Sequence, residues 1–590
     1  MTQQRILGIA LIAQIAGALR VLWMAAIAVA GLHVIGTSSA RAGEPPYFAI
    51  RGARIVPVSG PVIEGGTVVI AKGLITAVGK DVPIPPEAWV IDGKGLTVYP
   101  GLIDALTDLG LTAAPGAPGG PGAAGGPPAV PGSVPQAQTI SRGPQDRPGT
   151  TPWRSAADEI KPDDKRLESW RNTGFTTALS APKGGIFPGQ GVIINLAGER
   201  AAEMVAKAPA TLQISLQPTG SFVSFPGSLM GVHAYVKQVF ADTDWYAQAA
   251  VIYDAHPRDL ERPAYDRTER VLNDALRSRQ LLLLPANNAV QIIRALDLAE
   301  KLKLRAVLYG GQQGYAVAEA IAAKKVPVLV SLKWPEKEKD ADPEAEEPLR
   351  VLRFRDRAPS TPAVFEKAGV KFAFYSDGIT APKDILKNAK KAIDAGLAPE
   401  VALRAFTLNA AEIFGVADRL GSIEPGKIAN LAVTDGDIFN EKTKVKMVFV
   451  DGRRYEVREV ERPKEPPKGD MSGKWKLSYT TPEGPEESTA DLTMAADGTL
   501  TGTVAGSRGT ASISRGWVST DKFSFTISLP IGGTPTDVNF SGTFEGHTIK
   551  GTISVSGLTI DFTGARPPLS GWGQAGSNQQ AGTAERGELQ

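Results

Sequence analysis

The sequence contains no cysteine. This absence excludes disulfide bonds, cysteine nucleophiles and metal sites built on thiolates. Histidine is also scarce, since only four occur among 590 residues: His33, His233, His256 and His547. Catalytic zinc sites take most of their protein ligands from histidine, so the chain has few ways to build one.

A strong charge imbalance is missing as well. The chain has 64 Lys and Arg against 62 Asp and Glu, a formal net charge of +2. It has no block of basic residues interleaved with aromatics, so nothing in it indicates a nucleic-acid partner. No glycine-rich phosphate loop opens a predicted helix, which counts against nucleotide binding. Hydrophobic residues make up 42% of the chain, enough for large buried cores in several domains.

The first 42 residues are typical of an export signal. Arg20 interrupts a long apolar stretch, and Ala40 and Ala42 then fit the small-x-small pattern of signal cleavage. We therefore expect a cleaved signal peptide at 1–42 and a periplasmic or extracellular protein. A retained anchor through residues 6–36 is the alternative, although the apolar run after Arg20 is short for a membrane span.

The next part of the chain changes from strand patterns to alternating strand and helix patterns. Residues 47–97 contain short apolar runs punctuated by Gly and Pro, which indicate strands. From about 166 to 415 the alternation of strand and helix patterns predicts a parallel α/β barrel, with a doubly wound open sheet as the alternative. Before that region, 113–135 consists almost entirely of Pro, Gly and Ala and predicts a mobile surface loop.

The C-terminal part has a different character. Residues 459–470 are rich in Pro and charge and predict a linker. Residues 471–566 contain alternating polar and apolar runs joined by Gly and Asp-Gly turns, which predict a separate antiparallel β-domain, either a sandwich or a small barrel. The Gly- and Gln-rich end, 567–590, predicts a disordered tail.

Three landmarks then appear in a fixed order along the chain. They are "VIDGKGLTVYPGLIDALTDLG" at 90–110, "FYSDG" at 374–378 and "LRAFTLNAAEIFGVADRLGSIEPGKIANLAVTDGDIF" at 403–439. Together they resemble the amidohydrolase superfamily, closest to its imidazolonepropionase-like and dihydroorotase-like branches. The resemblance implies a distorted (β/α)8 TIM barrel at 98–415 beside a β-sandwich assembled from 47–97 and 416–458.

The same resemblance implies a chemistry and the positions that carry it. Active members hydrolyse non-peptide C–N bonds of amides and cyclic amides, with divalent metals that activate a bound water. The first metal-ligand pair maps onto Leu106 and Asp108, and the next ligand position maps onto Pro285. The following strand offers only Gly310–Gly311 where active members often have a histidine. Asp377 of "FYSDG" matches the proton-shuttling aspartate, which makes it the catalytic candidate.

The implied divalent metal therefore has few donors and should bind weakly or not at all. The remaining candidates as metal ligands are Asp108 and Asp377. With Asp104 they would form an all-carboxylate site that prefers magnesium, calcium or manganese. The alternative for Asp104 is a hydrogen-bonded structural carboxylate inside the barrel. His256 is a further candidate together with Asp254, the alternative being a surface histidine.

The glycine-rich segment 181–191 follows a barrel strand, so it should lie at the active-site face, where it shapes a pocket without a catalytic group of its own. If Asp108 and Asp377 lie close together, they should repel each other. One of them should then have a raised pKa unless a cation intervenes.

Three functions follow from this pattern. The first is a metal-dependent hydrolase of C–N bonds, either working through a remodelled site or weakly active or inactive because its metal site is degenerate. The second is a non-catalytic protein that binds a small molecule or a partner, and the third is an interaction protein whose C-terminal β-domain binds. The expected partners are a small-molecule substrate or ligand, a second copy of the chain, or an intact homologue that supplies the chemistry.

Overall fold

The computed structural model describes ten stretches of the chain: 47–111, 143–218, 225–337, 346–457, 465–481, 484–495, 497–507, 509–531, 534–555 and 558–566. Four predicted segments lie outside them: the signal peptide 1–42, the insert 113–135, the linker residues 459–464 and the tail 567–590. The chain forms two compact units, Met1–Val457 and Arg458–Gln590. Among the described residues, none of the helices is long and apolar enough to cross a membrane.

In the part of the first unit that the structure describes, two sheets have eight strands each. In chain order the strands are β1 Tyr47–Ile55, β2 Ile63–Ala71, β3 Leu74–Gly79, β4 Trp89–Asp92, β5 Thr97–Pro100, β6 Leu102–Thr107, β7 Phe175–Ser180, β8 Gly189–Asn195, β9 Val205–Gln213, β10 Leu281–Ala286, β11 Ala306–Gly310, β12 Val328–Ser331, β13 Phe372–Tyr375, β14 Leu431–Thr434, β15 Val445–Val450 and β16 Arg453–Glu456.

Helices and short 3-10 turns connect these strands. The α-helices are α1 Lys165–Arg171, α2 Ala201–Met204, α3 Leu229–Ala255, α4 Arg267–Arg277, α5 Ala289–Lys301, α6 Ala318–Lys324, α7 Leu349–Arg357, α8 Thr361–Ala368, α9 Lys383–Asp394, α10 Pro399–Phe406 and α11 Leu408–Phe414. The 3-10 turns are Pro144–Asp146, Ala156–Glu159, Gly314–Ala316 and Ala358–Ser360.

The central sheet is a nearly closed barrel, in the order β13-β12-β11-β10-β9-β8-β7-β6. Its strands are apolar on both faces, as expected when helices cover a sheet on one side and the barrel interior fills the other. In β10, Leu281 and Leu283 pack in one core cluster, whereas Leu282 and Leu284 pack in the cluster that includes the helices. This arrangement confirms the predicted distorted (β/α)8 barrel.

The barrel departs from the regular form at one strand, β8, and at the junction between β13 and β6, which is called the seam below. All neighbouring strands from β9 to β13 are parallel, and so are β6 and β7, but β8 runs antiparallel to both β7 and β9. The sheet order begins at β13 and ends at β6. Side chains from these two strands and the segments that follow them meet at this seam, and the site described below lies there.

The second sheet combines segments from both sides of the barrel in sequence. It has the order β16-β15-β14-β5-β1-β2-β3, with β4 paired to β1. Strand β5 runs parallel to β1 and antiparallel to β14, so the chain before the barrel and the chain after it join in one sheet. Buried residues of both segments, such as Ile50, Val98, Leu431 and Phe449, form a common core.

The second unit is a closed antiparallel barrel, which confirms the predicted separate β-domain. Strand β18 pairs with β19 as well as with β17, and this additional pairing closes a ring of eight strands with β20 attached to β19. The strands are β17 Gly473–Thr481, β18 Gly484–Met494, β19 Thr499–Gly506, β20 Gly509–Ser512, β21 Ser514–Ser519, β22 Lys522–Ile531, β23 Thr534–Glu545, β24 Thr548–Val555 and β25 Leu558–Ala565.

Candidate functional site

A cluster of charged side chains lies at the carboxyl ends of three barrel strands. Asp108 follows β6, Lys183 follows β7 and Asp377 follows β13. In (β/α)8 barrels this end of the sheet carries the functional residues. Asp108 stands one residue beyond β6, and the register of β6 against β7 shifts between Asp104 and Thr107. Leu106 therefore lies within β6, whereas Asp108 lies just beyond its end, where the pairing of the strand is irregular.

Lys183 joins the two aspartates. Its Nζ lies 2.9 Å from Oδ2 of Asp108 and 2.5 Å from Oδ1 of Asp377, so it donates to both carboxylates. The two aspartate side chains are each 33% exposed and the lysine side chain is 43% exposed, which places the cluster at the border of solvent. The two candidate metal ligands thus come together in the fold, with an ammonium group bound to both of them.

A second cation holds the other side of Asp108. Arg166 Nη1 donates to Oδ1 of Asp108 at 2.7 Å, while its Nη2 donates to the backbone carbonyl oxygens of Asp108 at 3.0 Å and Leu111 at 3.1 Å. The guanidinium is itself fixed by Asp164, which caps α1 and whose Oδ2 accepts from Arg166 Nη2 at 2.8 Å and from the Gly110 amide at 2.8 Å. Both carboxylate oxygens of Asp108 are therefore engaged by cations.

These contacts decide the protonation of the cluster. Burial alone would raise the pKa of Asp108, but the charges and hydrogen bonds of Lys183 and Arg166 outweigh it and hold that pKa below its usual value. Burial alone would lower the pKa of Lys183, but Asp377 and Asp108 hold it above its usual value. Lys183 is consequently a protonated ammonium near neutral pH, which makes it neither a nucleophile nor a general base.

Asp104 has a different environment, deep in the seam. Its side chain is 1% exposed, and its Oδ1 accepts from the Ser376 amide at 3.0 Å. Its Oδ2 accepts from Trp170 Nε1 at 3.1 Å and from the Ser376 hydroxyl. Burial raises the pKa of Asp104 to about 6, although the hydrogen bonds from Ser376 and Trp170 oppose the shift. Asp104 is a hydrogen-bonded carboxylate that links β6 to the residue following β13.

The other mapped ligand positions are apolar or lack a side chain. Leu106 is 6% exposed and packs in an apolar cluster that includes Tyr375. Pro285 is buried in β10, opposite Tyr309 of β11. Gly310 has a φ of 109°, and a Cβ there would lie 2.3 Å from Oδ1 of Asn287. A side chain at this position would be strained by that φ and would require Asn287 to move.

The described histidines do not join the cluster. His256 is exposed at the C-terminal end of α3, as is Asp254. His233, also on α3, has a pKa lowered by burial and by the nearby charges of Arg294 and Lys237. Within the described stretches of the chain, no three His, Asp or Glu side chains lie close enough together to hold a metal ion.

The donor set at the barrel mouth does not fit the catalytic metal that the resemblance implies. Such a site needs about three protein ligands, rich in nitrogen, with room for a bound water. Here two carboxylates are bridged by one ammonium and one of them is bound by a guanidinium. Leucine and proline stand at two positions that the resemblance maps to further ligands. A divalent cation would have to displace Lys183 against the repulsion of both cations.

Lys183 is the residue that the sequence interpretation missed. The segment 181–191 was expected to shape a pocket without a catalytic group of its own, and its third residue joins the two aspartates as an ion-pair partner. Its partners are 75 residues before it and 194 residues after it, so no local spacing reveals the contact. The only sequence signal is a lysine directly after a predicted barrel strand, on the face where such barrels place their functional groups.

Comparison with known proteins agrees with the geometry of the barrel. The profile of the amidohydrolase family matches residues 346–455. A crystal structure of an amidohydrolase from Thermotoga maritima MSB8 is 25% identical, with a TM-score of 0.57, and the match covers 69% of this chain and 100% of that chain. In this region and in the fold of its barrel, the chain is similar to members of the amidohydrolase superfamily.

A second, shorter match is to a curated relative. Adenine deaminase 1 of Desulfotalea psychrophila (strain LSv54 / DSM 12343) is 35% identical over 89 residues. That match spans only 14% of this chain and 14% of the deaminase. The branch of the superfamily suggested by the three sequence landmarks stays a prediction.

Proposed function

We propose that this protein is an amidohydrolase-superfamily member whose metal site is degenerate, and that it binds a small molecule at the barrel mouth with weak or no hydrolysis of C–N bonds. The observation that carries the proposal is the position of Lys183 Nζ, 2.9 Å from Asp108 and 2.5 Å from Asp377. A fixed ammonium group stands between the two carboxylates that would otherwise be candidates to ligate a metal.

The chemistry of hydrolysis explains why a lysine between the two carboxylates matters. The superfamily reaction needs a water whose pKa a metal lowers, and a carboxylate that moves its proton. A lysine ammonium is a single charge with no open coordination position, so it neutralises the carboxylates without activating water as a metal does. Asp108, held ionised by Lys183 and Arg166, is correspondingly a poor proton acceptor near neutral pH.

The same groups favour binding. Lys183 and Arg166 are each more than 40% exposed and point to the carboxyl ends of the strands, where loops surround a barrel mouth. Leu106 lies in the apolar cluster of the barrel interior and Tyr309 packs against it. Partly exposed cations at a barrel mouth suit a small molecule with a polar end.

The metal content of the purified protein distinguishes a binding protein with a degenerate metal site from a working metal-dependent hydrolase. The purified protein is dialysed against zinc, manganese or nickel, freed of loosely bound ions and analysed by mass spectrometry for bound metal. We expect far less than one equivalent of each ion. The variant Lys183→Met, with the surface variant Lys390→Met as its control, shows whether the ammonium is what excludes the ion. One tightly held equivalent in the wild type would contradict the proposal.

Export is a second part of the proposed function and rests on the N-terminal sequence pattern alone. Ala40 and Ala42 flank Arg41 in a small-x-small cleavage pattern. Cell fractionation with N-terminal sequencing of the mature protein tests it, and the expected first residue is Gly43. A cytoplasmic protein that keeps residues 1–42 would contradict it, while a membrane-bound protein that keeps them would favour the anchor.

Association with a second copy of the chain or with an intact homologue is also a proposal. Size-exclusion chromatography with light scattering tests it.

A further inference from the structure

The C-terminal barrel, residues 465–566, has the number of strands at which a barrel interior becomes a binding site. Eight antiparallel strands close in a ring because β18 pairs with both β17 and β19. At this strand number the interior is just wide enough to be filled by side chains or to hold one small ligand. Which of the two applies depends on the side chains that point inward.

One half of this interior is filled by aromatic rings. Phe525 and Phe540 stack with their ring centroids 4.8 Å apart, and Phe562 packs edge-on against Phe540 at 5.6 Å. Trp475 is fully buried at the same end, where its Nε1 donates to the carbonyl oxygen of Met471 at 2.9 Å and the Arg566 guanidinium covers its ring. Aromatic side chains thus occupy this part of the interior.

The other half is hollow. A cavity of about 370 Å³ lies between the late part of β17, β19, β22 and β24 and the early part of β18, β23 and β25. Its wall is mostly aliphatic, from side chains such as Val504, Ile527, Leu529, Val538 and Ile553. The volume falls within the range of about 300–1,000 Å³ that is usual for small-molecule pockets.

A single buried hydroxyl interrupts the apolar wall. Ser488 is 5% exposed and lines the cavity, and within the described part of the chain its Oγ has no hydrogen-bond partner. A buried hydroxyl without a partner is unfavourable, so such groups are normally paired. Glu486, two residues earlier on β18, also lines the cavity and accepts from the Ser507 hydroxyl at 3.2 Å. Its negative charge at the wall disfavours an anionic ligand.

We propose that this cavity binds one small, mostly apolar and uncharged molecule whose single polar group forms a hydrogen bond with Ser488 Oγ. The aliphatic wall provides the affinity, because its apolar surface leaves water when the ligand enters. The hydroxyl provides the orientation, because it is the buried polar atom of the wall that lacks a partner. The site belongs to the second unit and does not depend on the chemistry of the amidohydrolase barrel.

The test uses the full chain and the neutral fluorescent probe N-phenyl-1-naphthylamine, whose one N–H can donate to Ser488 Oγ. We expect saturable binding of one probe per chain, seen as a rise in probe fluorescence. The variant Val504→Phe places a ring in the cavity and should weaken binding roughly tenfold or more. Its matched control is Thr503→Phe, the exposed neighbour on the same strand, which should leave binding unchanged.

Two further variants keep the result decisive. Val555→Phe fills the half-buried rim of the cavity, and it replaces Val504→Phe if near-ultraviolet circular dichroism shows that the latter does not fold. Ser488→Ala should weaken binding of the probe by about twofold to tenfold, as expected for the loss of one hydrogen bond. Absence of saturable binding, or binding that survives a folded cavity-filling variant, would overturn the proposal.

Discussion

Two aspartates four residues apart experience opposite environments. Asp104 is enclosed in the barrel seam, and burial raises its pKa to about 6. Asp108 lies at the barrel mouth, where Lys183 and Arg166 overcome the effect of burial and lower its pKa. The difference follows from solvent access and from neighbouring charge, since both residues are the same carboxylic acid on the same stretch of chain. Each environment leads to a separate prediction for how the stability of the protein depends on pH.

For Asp104 the folded-state pKa exceeds the unfolded one, so folding binds a proton between about pH 4 and pH 6. Stability from this group is greatest below pH 4 and falls as the pH rises to 6, by about 3 kcal/mol at most. The variant Asp104→Asn should lose this dependence. Urea unfolding of both proteins at a series of pH values measures it. If the difference in the free energy of unfolding between wild type and variant does not change from pH 4 to pH 6, Asp104 does not titrate in this range.

For Lys183 the prediction concerns the charge between the two aspartates. Lys183→Met should reduce the free energy of unfolding at pH 7 by about 1–2 kcal/mol, because two carboxylates then face each other at a partly screened site. The lowered pKa of Asp108 gives stability that is present above about pH 4 and lost as the pH falls through the folded-state pKa. This loss of stability at acid pH should be smaller in Lys183→Met than in the wild type. Lys390→Met, which removes an exposed helix pair with Asp394, is the control and should change stability by less than about 0.5 kcal/mol.

At the scale of elements, helix α1 links both aspartates. Arg166 and Trp170 are four residues apart and so lie on one face of the helix. Arg166 binds Asp108, and Trp170 Nε1 donates to Asp104. The helix is held in place by Asp164, which caps it and accepts from the Gly110 amide. One short helix thus orders the strand end that carries the site.

Removal of this cap should loosen the site. Asp164→Ala deletes the hydrogen bonds to the Arg166 and Gly110 amides and should cost about 1–2 kcal/mol of stability. Asp163→Ala, the exposed neighbour, is the matched control and should be nearly neutral. Chemical denaturation measures both. Equal effects of the two variants would mean that the cap does not hold α1 against the end of β6.

The sequence predicted these elements better than it predicted their directions and contacts. The short apolar run Leu281–Ala286, followed by a helical pattern, indicated the buried strand β10. The landmarks at 90–110 and 403–439 indicated the superfamily. The antiparallel direction of β8 could not be predicted, because periodicity shows burial and not strand direction. Lys183 was missed for a related reason, since its partners become neighbours only after the barrel has closed.

At the scale of the whole molecule, the two units have separate cores. Lys468 donates its amide to the carbonyl of Thr520 and Met471 is fully buried, so the second unit includes the segment just before β17. A fragment of residues 465–566 should therefore unfold in one cooperative transition when expressed alone. A fragment that begins at Gly473 should be less stable, because it lacks Met471 and the acceptor of Trp475 Nε1. A disordered longer fragment would contradict the independence of this unit.

Hydrolysis by the full-length protein tests the central claim most directly. The wild type and Asp377→Asn are loaded with zinc or manganese and assayed on amides, cyclic amides and aminopurines, with and without a chelator. If Lys183 has replaced the metal between Asp108 and Asp377, both proteins should show almost no turnover and the chelator should change nothing. Turnover by the wild type that the chelator abolishes, and that Asp377→Asn lacks, would show instead that the rebuilt site still catalyses metal-dependent hydrolysis.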